Sequence, residues 1–435
     1  MSTGVAIVIA AITLIVLLLS GLYIHSMLLA VGVVGIIALG KLALIPGLLS
    51  YTTFTTVATY SMTTIPLYVL CAQLILEAGV VEDLFNILYN ISHGKKSVLG
   101  VFCMILGAFL GAVCGSGTAT SAALGQAAYP QLTKRGYSSG LAGAVAASAG
   151  SLAGVIPPSV TIIVYGIATE TPIGRMFVAS LIPGILTTLV FIGCTLFFLR
   201  REQKASGVVE EFKPVYVDKR SAAISFSVAI IIALTIFGGI YSGFMTATEA
   251  GAVSATVAFI CALCLGKVTK AFLVRSAKGT VSITAMVMMI IVGAKILGKF
   301  MSLSKISDRF VALLGPMMGH PRIILAILIV VYFILFMLME GTAVIVMTTP
   351  VLLPVMQQMN VDMLWFGIIV CFCCVIGQLT PPVGVCVYSV CGVAGIPVEA
   401  PFQKSMVFAI IASIVVGGLM ILFPQVVTFL PSLML

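Results

Sequence analysis

The sequence predicts an all-α polytopic membrane protein made of two inverted-topology repeats, each with a re-entrant helical hairpin and a discontinuous helix. Three observations lead to this prediction: an apolar composition, apolar stretches long enough to cross a bilayer, and a set of motifs that occurs twice. Hydrophobic residues make up 61% of the 435 residues and charged residues only 8%. The longest polar stretch, 200–220, is too short to form a soluble domain.

The apolar stretches predict the membrane spans. Those that approach or reach the roughly 20 apolar residues needed to cross a bilayer include 5–19, 181–199, 222–240 and 407–422. The first stretch lacks a basic flank and an Ala-x-Ala-like cleavage site. We therefore expect it to be a retained span and not a removable signal peptide.

The repeated motifs divide the chain into two halves related by an offset of 224 residues. The residues that match are Gly117, Thr118, Ala119, Pro130, Pro157 and Pro158 in the first copy and Gly341, Thr342, Ala343, Pro354, Pro381 and Pro382 in the second. The predicted units are an N-terminal scaffold span (1–25), a first repeat (26–199, hairpin 97–133), a cytoplasmic loop (200–220), a scaffold span (221–243) and a second repeat (244–435, hairpin 320–358).

The distribution of basic residues predicts the orientation. The loops that carry most of the 22 lysines and arginines are 95–96, 134–135, 200–220, 267–278 and the one at Lys404. The positive-inside rule assigns these loops to the cytoplasm, with both termini outside. On this assignment each hairpin must enter and leave the membrane on the same side, so the repeats are inverted.

The hairpin tips are small, polar and glycine-rich. They read Cys114-Gly-Ser-Gly-Thr-Ala-Thr-Ser121 and Glu340-Gly-Thr-Ala343, amid apolar neighbours, and we expect the helices to break there. A segment of helical period precedes each hairpin and predicts an interfacial arm helix. The apolar stripes are Val80, Val81, Leu84, Phe85, Leu88 and Ile91 in one arm and Leu303, Ile306, Phe310, Leu313 and Leu314 in the other.

A proline pair follows each tip inside an otherwise apolar span. Proline removes a backbone donor and clashes with the carbonyl one turn earlier, so Pro157-Pro158 and Pro381-Pro382 predict helix breaks with unpaired carbonyls. Such backbone is tolerated at membrane depth only where an ion, a substrate or water satisfies it. Two breaks per repeat therefore predict a binding centre.

Sodium suits this centre because carbonyl and hydroxyl oxygens bind it without changing protonation. We expect two or more coupling Na⁺ ions. The first site would be formed by Ser116, Gly117 and Thr118 with carbonyls of Ala153, Ile156 and Pro157. The second would be formed by Gly341, Thr342, Gly377, Thr380 and Val383.

An organic anion is expected between the two sodium sites, because half-helix amino ends direct positive dipoles toward mid-membrane. The residues that we expect to contact it are Ser116, Thr118, Ser159, Glu340, Thr342, Pro381 and Pro382.

Five strings in this order resemble the large membrane subunit of tripartite ATP-independent periplasmic (TRAP) transporters, the DctM-type permease. They are CGSGTATSAALG, GVIPPS, FMTATEAGAV, LMEGTAVIVMTTPVLLPV and IGQLTPPVG, and the resemblance spans essentially the whole chain. It implies an elevator-type, sodium-driven importer of an organic acid in the bacterial inner membrane. The family often has Asp where this chain has Glu340 and Gly where it has Ala153.

The resemblance also implies partners. A soluble periplasmic binding protein would deliver the acid, such as a C4-dicarboxylate or sialic acid, and a small membrane subunit of about four spans, here expected as a separate chain, would complete the transporter. Nucleic acid is not expected as a partner, because the basic residues sit in short loops between apolar stretches. The chain is not expected to be an enzyme.

Several alternatives stay open at the level of sequence. The closest is a sodium/carboxylate symporter of similar fold that needs no binding protein; a channel and an intramembrane serine protease at Ser116 are weaker, the latter because no predicted span contains a histidine base. Gly107 and Gly111 are interpreted as a packing face. Glu340 either caps its half-helix or binds substrate, and Lys295 snorkels, pairs with Glu340 or contacts substrate.

Overall fold

The fold was examined in a computed structural model, which describes residues 2–202, 214–216, 218–306, 308–309, 312 and 321–434. These residues form helices and connecting turns, with no β-strand among them. The all-α prediction is thereby confirmed.

The first half contains eleven of the helices to which we give labels. They are α1 (Thr3–Leu19), α2 (Ile24–Ala38), α3 (Thr64–Glu77), α4 (Val80–Ile91), α5 (Lys96–Cys114), α6 (Gly117–Ala127), α7 (Tyr129–Lys134), α8 (Ser139–Ser151), α9 (Val160–Thr169), α10 (Ile173–Ala179) and α11 (Leu181–Glu202). Between α2 and α3 the chain makes short helical turns of changing pitch: Leu42–Leu44, Ile45–Gly47, Leu48–Thr52, Thr53–Val57 and Tyr60–Thr63. A single 3₁₀ turn, Leu152–Gly154, follows α8.

The second half continues the series after the loop. Its helices are α12 (Lys219–Tyr241), α13 (Ala247–Cys264), α14 (Lys270–Leu303), α15 (Pro321–Leu338), α16 (Gly341–Gln358), α17 (Met363–Gly377), α18 (Val385–Ala394), α19 (Glu399–Ala412), α20 (Gly418–Leu422) and α21 (Gln425–Ser432). A π-helical turn, Ser413–Gly417, joins α19 to α20. Glu249, in the first turn of α13, forms a capping box with Thr246, so it caps the helix start.

Six helices in the described part of the chain are long and apolar enough to cross a membrane by length and composition. They are Ile173–Glu202, Arg220–Tyr241, Ala247–Cys264, Lys270–Leu303, Gly341–Gln358 and Glu399–Leu422. The helical runs Leu42–Val57 and Tyr60–Glu77 pass the same test together, although a bend of 62° separates them. The protein is therefore a multi-pass membrane protein.

The helix breaks fall 224 residues apart, as the motifs do. α6 begins at Gly117 and α16 at Gly341, and a Pro-Pro peptide with cis geometry precedes both α9 and α18. The inverted orientation of the repeats and the re-entry of the hairpins stay predictions. Val80–Ile91 is a helix whose buried residues include Val80, Leu84 and Phe85. In the second arm, Phe310, Leu313 and Leu314 lie outside the described residues, as does the start of hairpin 320–358.

The second helix of each hairpin packs against the broken helix of the other repeat. α6 contacts α18 as well as α8, and α16 contacts α9. Within the first repeat, a Cβ atom added to Gly107 would lie 2.5 Å from the Ala149 carbonyl oxygen, and one on Gly111 would lie 2.9 Å from Ala153 Cα. The packing interpretation of these two glycines is confirmed, and α5 lies close against α8.

Candidate functional site

The tip of the first hairpin is a two-residue break between α5 and α6. Gly115 has φ +62°, a left-handed conformation that favours glycine, and ends α5. Ser116 is the N-cap of α6; its Oγ accepts a hydrogen bond from Ala119 N at 3.5 Å and lies 3.2 Å from Thr118 Oγ1. Both hydroxyl side chains are half-buried. The tip therefore presents two hydroxyls at the amino end of α6.

The first proline break lies directly against this tip. Val160 N donates a hydrogen bond to Gly115 O at 3.0 Å, and a Cβ on Gly115 would lie 2.8 Å from Pro158 O. The break itself is buried from Ala153 to Ser159, except for the half-buried Ile156. Thus the tip and the break form one unit joined through the backbone.

Three carbonyls of this break are left without a donor. Those of Ala153, Ile156 and Pro157 accept no hydrogen bond from any described residue, whereas the Gly154 carbonyl accepts one from Ser159 Oγ at 3.0 Å. Unpaired buried carbonyls are costly in an apolar surrounding. These oxygens are the ones expected to bind the first sodium ion, and their chemistry fits a hard cation.

The tip of the second hairpin carries a carboxylate. Glu340 is the N-cap of α16, and its Oε2 accepts hydrogen bonds from Thr342 N at 3.0 Å and Ala343 N at 3.3 Å. Thr342 Oγ1 donates to the same oxygen. Glu340 therefore caps the half-helix, and one negative charge lies where the first tip has a neutral hydroxyl.

The second proline break is more open than the first. Pro381 is half-buried and Pro382 and Val383 are exposed, while Thr380 is buried. Val383 N donates to Met337 O at 3.2 Å. This bond joins the second break to its hairpin, just as the bond from Val160 N joins the first break to the first hairpin. The Gly377 carbonyl already accepts bonds from Thr380 N at 3.1 Å and Thr380 Oγ1 at 2.8 Å.

A buried amide, Gln378, lies between the two tips. A Cβ on Gly117 would lie 2.7 Å from Gln378 Oε1, and one on Gly341 would lie 3.5 Å from Gln378 Nε2. The amide donates to Cys374 Sγ at 3.0 Å and accepts from Cys386 Sγ at 3.1 Å. Sulfur forms only weak hydrogen bonds, so the amide of Gln378 is weakly bonded although it is buried. Both half-helices therefore begin beside the same side chain.

The site thus unites most of the residues expected from the sequence. Both tips meet at Gln378 and the first break is bonded to the first tip, whereas Ser159 is fully buried and Pro382 is exposed. The sequence analysis missed Gln378, although an amide side chain at the end of an apolar stretch indicates a polar site. It also missed Thr161, whose Oγ1 lies 3.7 Å from the Cβ position of Gly341.

Lys295 lies apart from the tips. It makes no ion pair in the described part of the chain, where the ion pairs are Arg275–Glu77 and Lys404–Glu202. Its side chain lines two cavities between α14 and neighbouring helices. The expected alternative of a pair with Glu340 is therefore absent from this structure.

Comparison with known proteins identifies relatives over most of the chain. The model of the DctM component of tripartite ATP-independent periplasmic transporters matches residues 11–427. The sialic acid TRAP transporter large permease protein SiaM of Vibrio cholerae is 27% identical over 382 residues, which are 86% of this chain and 87% of the relative. The C4-dicarboxylate TRAP transporter large permease protein DctM of Pseudomonas aeruginosa is 26% identical, over 88% of this chain and 87% of the relative.

Solved structures share the fold at low identity. The YdaH transporter of Alcanivorax borkumensis superposes with a TM-score of 0.64 at 12% identity, covering 87% of this chain and 89% of YdaH. At that identity the likeness concerns the fold alone.

Proposed function

The chain belongs to the DctM family of tripartite ATP-independent periplasmic transporters, and from this membership we propose that it imports an organic acid anion together with sodium ions. It is a multi-pass protein of the inner membrane. As a large permease of this family it takes part in organic acid transport with a small permease subunit and a periplasmic binding protein. The finer proposal concerns the coupling ion, the movement and the acid.

The unpaired carbonyls of the first break carry the sodium proposal. The oxygens of Ala153, Ile156 and Pro157 have no donor among the described residues, and Ser116 and Thr118 present hydroxyls at the adjacent tip. Oxygen ligands without a proton requirement favour a coupling cation such as Na⁺. We place a second ion at Gly341, Thr342, Gly377, Thr380 and Val383, where the carboxylate of Glu340 adds a negative charge.

The amino ends of α6 and α16 support an anion between these ions. Both helices begin beside Gln378, and each amino end carries a partial positive charge. Ser116 leaves the first end uncompensated, whereas Glu340 neutralises the second. We therefore propose that the carboxylate of the acid binds nearer to Ser116 and Thr118. Sialic acid and C4-dicarboxylates, the acids named for two relatives, define the class of candidate substrates.

Sodium coupling suffices energetically. Moving one net charge through 100 mV yields about 2.3 kcal/mol, so two sodium ions with one monoanion give roughly 50-fold accumulation from voltage alone. A sodium concentration gradient adds to this.

We propose an elevator movement in which the hairpins and broken helices travel together. The backbone bonds from Val160 to Gly115 and from Val383 to Met337 join each break to its hairpin, which supports a single moving body. The remaining long helices, such as α13 and α14, would form the stationary scaffold with the four-span small subunit.

Uptake into liposomes tests the proposal. Liposomes would contain this chain and its small subunit, with radiolabelled acids, an inward sodium gradient and an inside-negative voltage, with or without the cognate binding protein. Uptake that requires both sodium and the binding protein supports the proposal. Uptake with sodium alone assigns the chain to symporters that need no binding protein, and sodium-independent uptake contradicts the coupling.

A further inference from the structure

We propose that the cavity around Lys295 is a first binding site for the organic anion, separate from the hairpin tips. This inference rests on the proposed function. The cavity receives the carboxylate before it reaches the tips, and Lys295 supplies the positive charge that attracts it.

The cavity lies between two groups of elements. Its volume is about 520 Å³, within the range of small-molecule sites. One wall is the run of short helical turns at 52–62, and the other is the end of α9 with the start of α10, Gly166 to Ile173; Lys295 reaches it from α14. On the predicted topology this end of the molecule faces outside.

The lining is rich in hydroxyl groups. Its hydroxyl residues include Thr52, Thr55, Thr56, Thr59 and Ser61. The hydroxyls of Thr56 and Ser61 make no hydrogen bond to any described residue, so they are available as donors. A cation beside free hydroxyls suits a carboxylate, particularly one on a hydroxylated acid.

The position of Lys295 connects this cavity with the second hairpin. The same side chain lines an inner cavity of about 230 Å³ whose other walls include Val346 and Thr349 of α16. These residues lie one to two turns along α16 from Gly341, where the helix begins at the tip. An anion held at Lys295 therefore lies beside the hairpin that it has to reach.

The cavity lining also contains one acidic residue, Glu170. Its side chain also lines a third cavity that contains Arg175 and Asp362. Glu170 is thus shared with the cavity that contains Arg175, whereas Lys295 is shared with the cavity that reaches α16. An anion in the cavity is therefore expected nearer to Lys295 than to Glu170.

Charge-selective labelling of a cysteine tests the site without requiring transport. Thr59→Cys, in a Cys264→Ser background that removes the exposed native cysteine, places a thiol in the cavity lining. The measurement is the ratio of modification rates by an anionic and a cationic methanethiosulfonate of similar size, on the purified complex with its small subunit. We expect Lys295→Gln to lower the anion/cation ratio by about fivefold or more, and Lys295→Arg to preserve it.

Lys299→Gln is the matched control, because Lys299 lies one turn further along α14 and lines neither cavity. It should change the ratio little. A ratio that Lys295→Gln leaves unchanged, or that Lys299→Gln lowers equally, overturns the proposal.

Protection experiments distinguish a soluble acid from an anionic lipid headgroup, which offers the same chemistry. In nanodiscs of neutral lipid, acids that the liposome assay identifies as transported should slow labelling in the Lys295 protein and not in Lys295→Gln. Protection by anionic lipid alone overturns the assignment to a soluble acid. If no acid is transported, the proposed function fails, while the labelling ratio still decides whether Lys295 makes the cavity anion-selective.

Discussion

Ser116 and Glu340 are both helix N-caps and occupy equivalent positions in the two hairpins, 224 residues apart. Each side chain accepts backbone hydrogen bonds from the half-helix that begins at the next residue. One cap is neutral and the other carries a negative charge. The two copies of the tip therefore share a side-chain cap and differ in electrostatics, which leads to the first prediction.

Glu340→Gln should weaken sodium activation of uptake. Removing the carboxylate takes a unit charge from the site next to Thr342, so we expect the half-saturating sodium concentration to rise about tenfold or more. Sodium titration of uptake measures this. Glu399→Gln, at an exposed first turn of α19, is the control and should leave the titration unchanged. Equal sodium dependence in both variants would contradict the role of Glu340.

Gln378→Leu should abolish most uptake while the protein stays folded. Among the described residues the side-chain amide bonds to two sulfur atoms alone, so its loss should change the free energy of unfolding by no more than about 1 kcal/mol. Transport should fall at least tenfold because both tips lose their shared polar neighbour. Gln357→Leu, on the exposed end of α16, is the control. The melting temperature, measured together with uptake, distinguishes a misfolded protein from a folded protein that has lost the site.

Gly341→Ala should destabilise the protein and impair uptake. The added Cβ would clash with Cys374 Sγ, and forcing a side chain into a packed site costs about 1–3 kcal/mol. Gly193→Ala, within α11, has no atom within 4 Å of its Cβ position and should stabilise the helix by about 0.4–1 kcal/mol. Denaturation of both variants measures the change in the free energy of unfolding, which should be negative for Gly341→Ala and positive for Gly193→Ala. Changes of the same sign would be inconsistent with the observed packing.

Thr380→Ala should raise the half-saturating sodium concentration, and Thr380→Ser should restore it. The buried hydroxyl donates to the Gly377 carbonyl at 2.8 Å, which leaves its lone pairs for a cation. Serine keeps the oxygen and removes only the methyl group. Failure of serine to restore sodium dependence would indicate that the methyl group, and not the hydroxyl, matters.

Ser159→Ala should reduce stability without changing the apparent affinity for the acid. Its hydroxyl is fully buried and donates to Gly154 O at 3.0 Å, so substitution leaves that carbonyl unpaired at a cost of about 1–3 kcal/mol. The Michaelis constant for uptake and the melting temperature measure the two effects. An altered Michaelis constant with normal melting would instead support the expected contact of Ser159 with the substrate.

The positions of the helix breaks could be predicted from sequence because their causes are local. Gly115 and the proline pairs each interrupt a helix through backbone chemistry that neighbouring residues cannot override. The composition likewise determines the all-α class, since hydrocarbon leaves few ways to pair backbone groups.

Gln378 could not be found in the same way because its role depends on distant packing. The equivalent position in the first repeat is Gly154, so a search for residues shared by both copies passes over it. The turns between Leu42 and Thr63 were also not predicted, since their pitch changes every few residues and they have no single period. Burial of Ser159 follows from tertiary packing alone.

The bonds from Val160 N to Gly115 O and from Val383 N to Met337 O use only main-chain atoms. Any residue except proline can supply the donor at positions 160 and 383, whereas the carbonyl at position 115 comes from a glycine whose φ of +62° other residues rarely adopt. Apart from the need for glycine at position 115, the mechanical link between tip and break is therefore insensitive to side-chain identity, whereas ligand recognition depends on it. Mutation can change what the site recognises while the coupling between its parts stays intact.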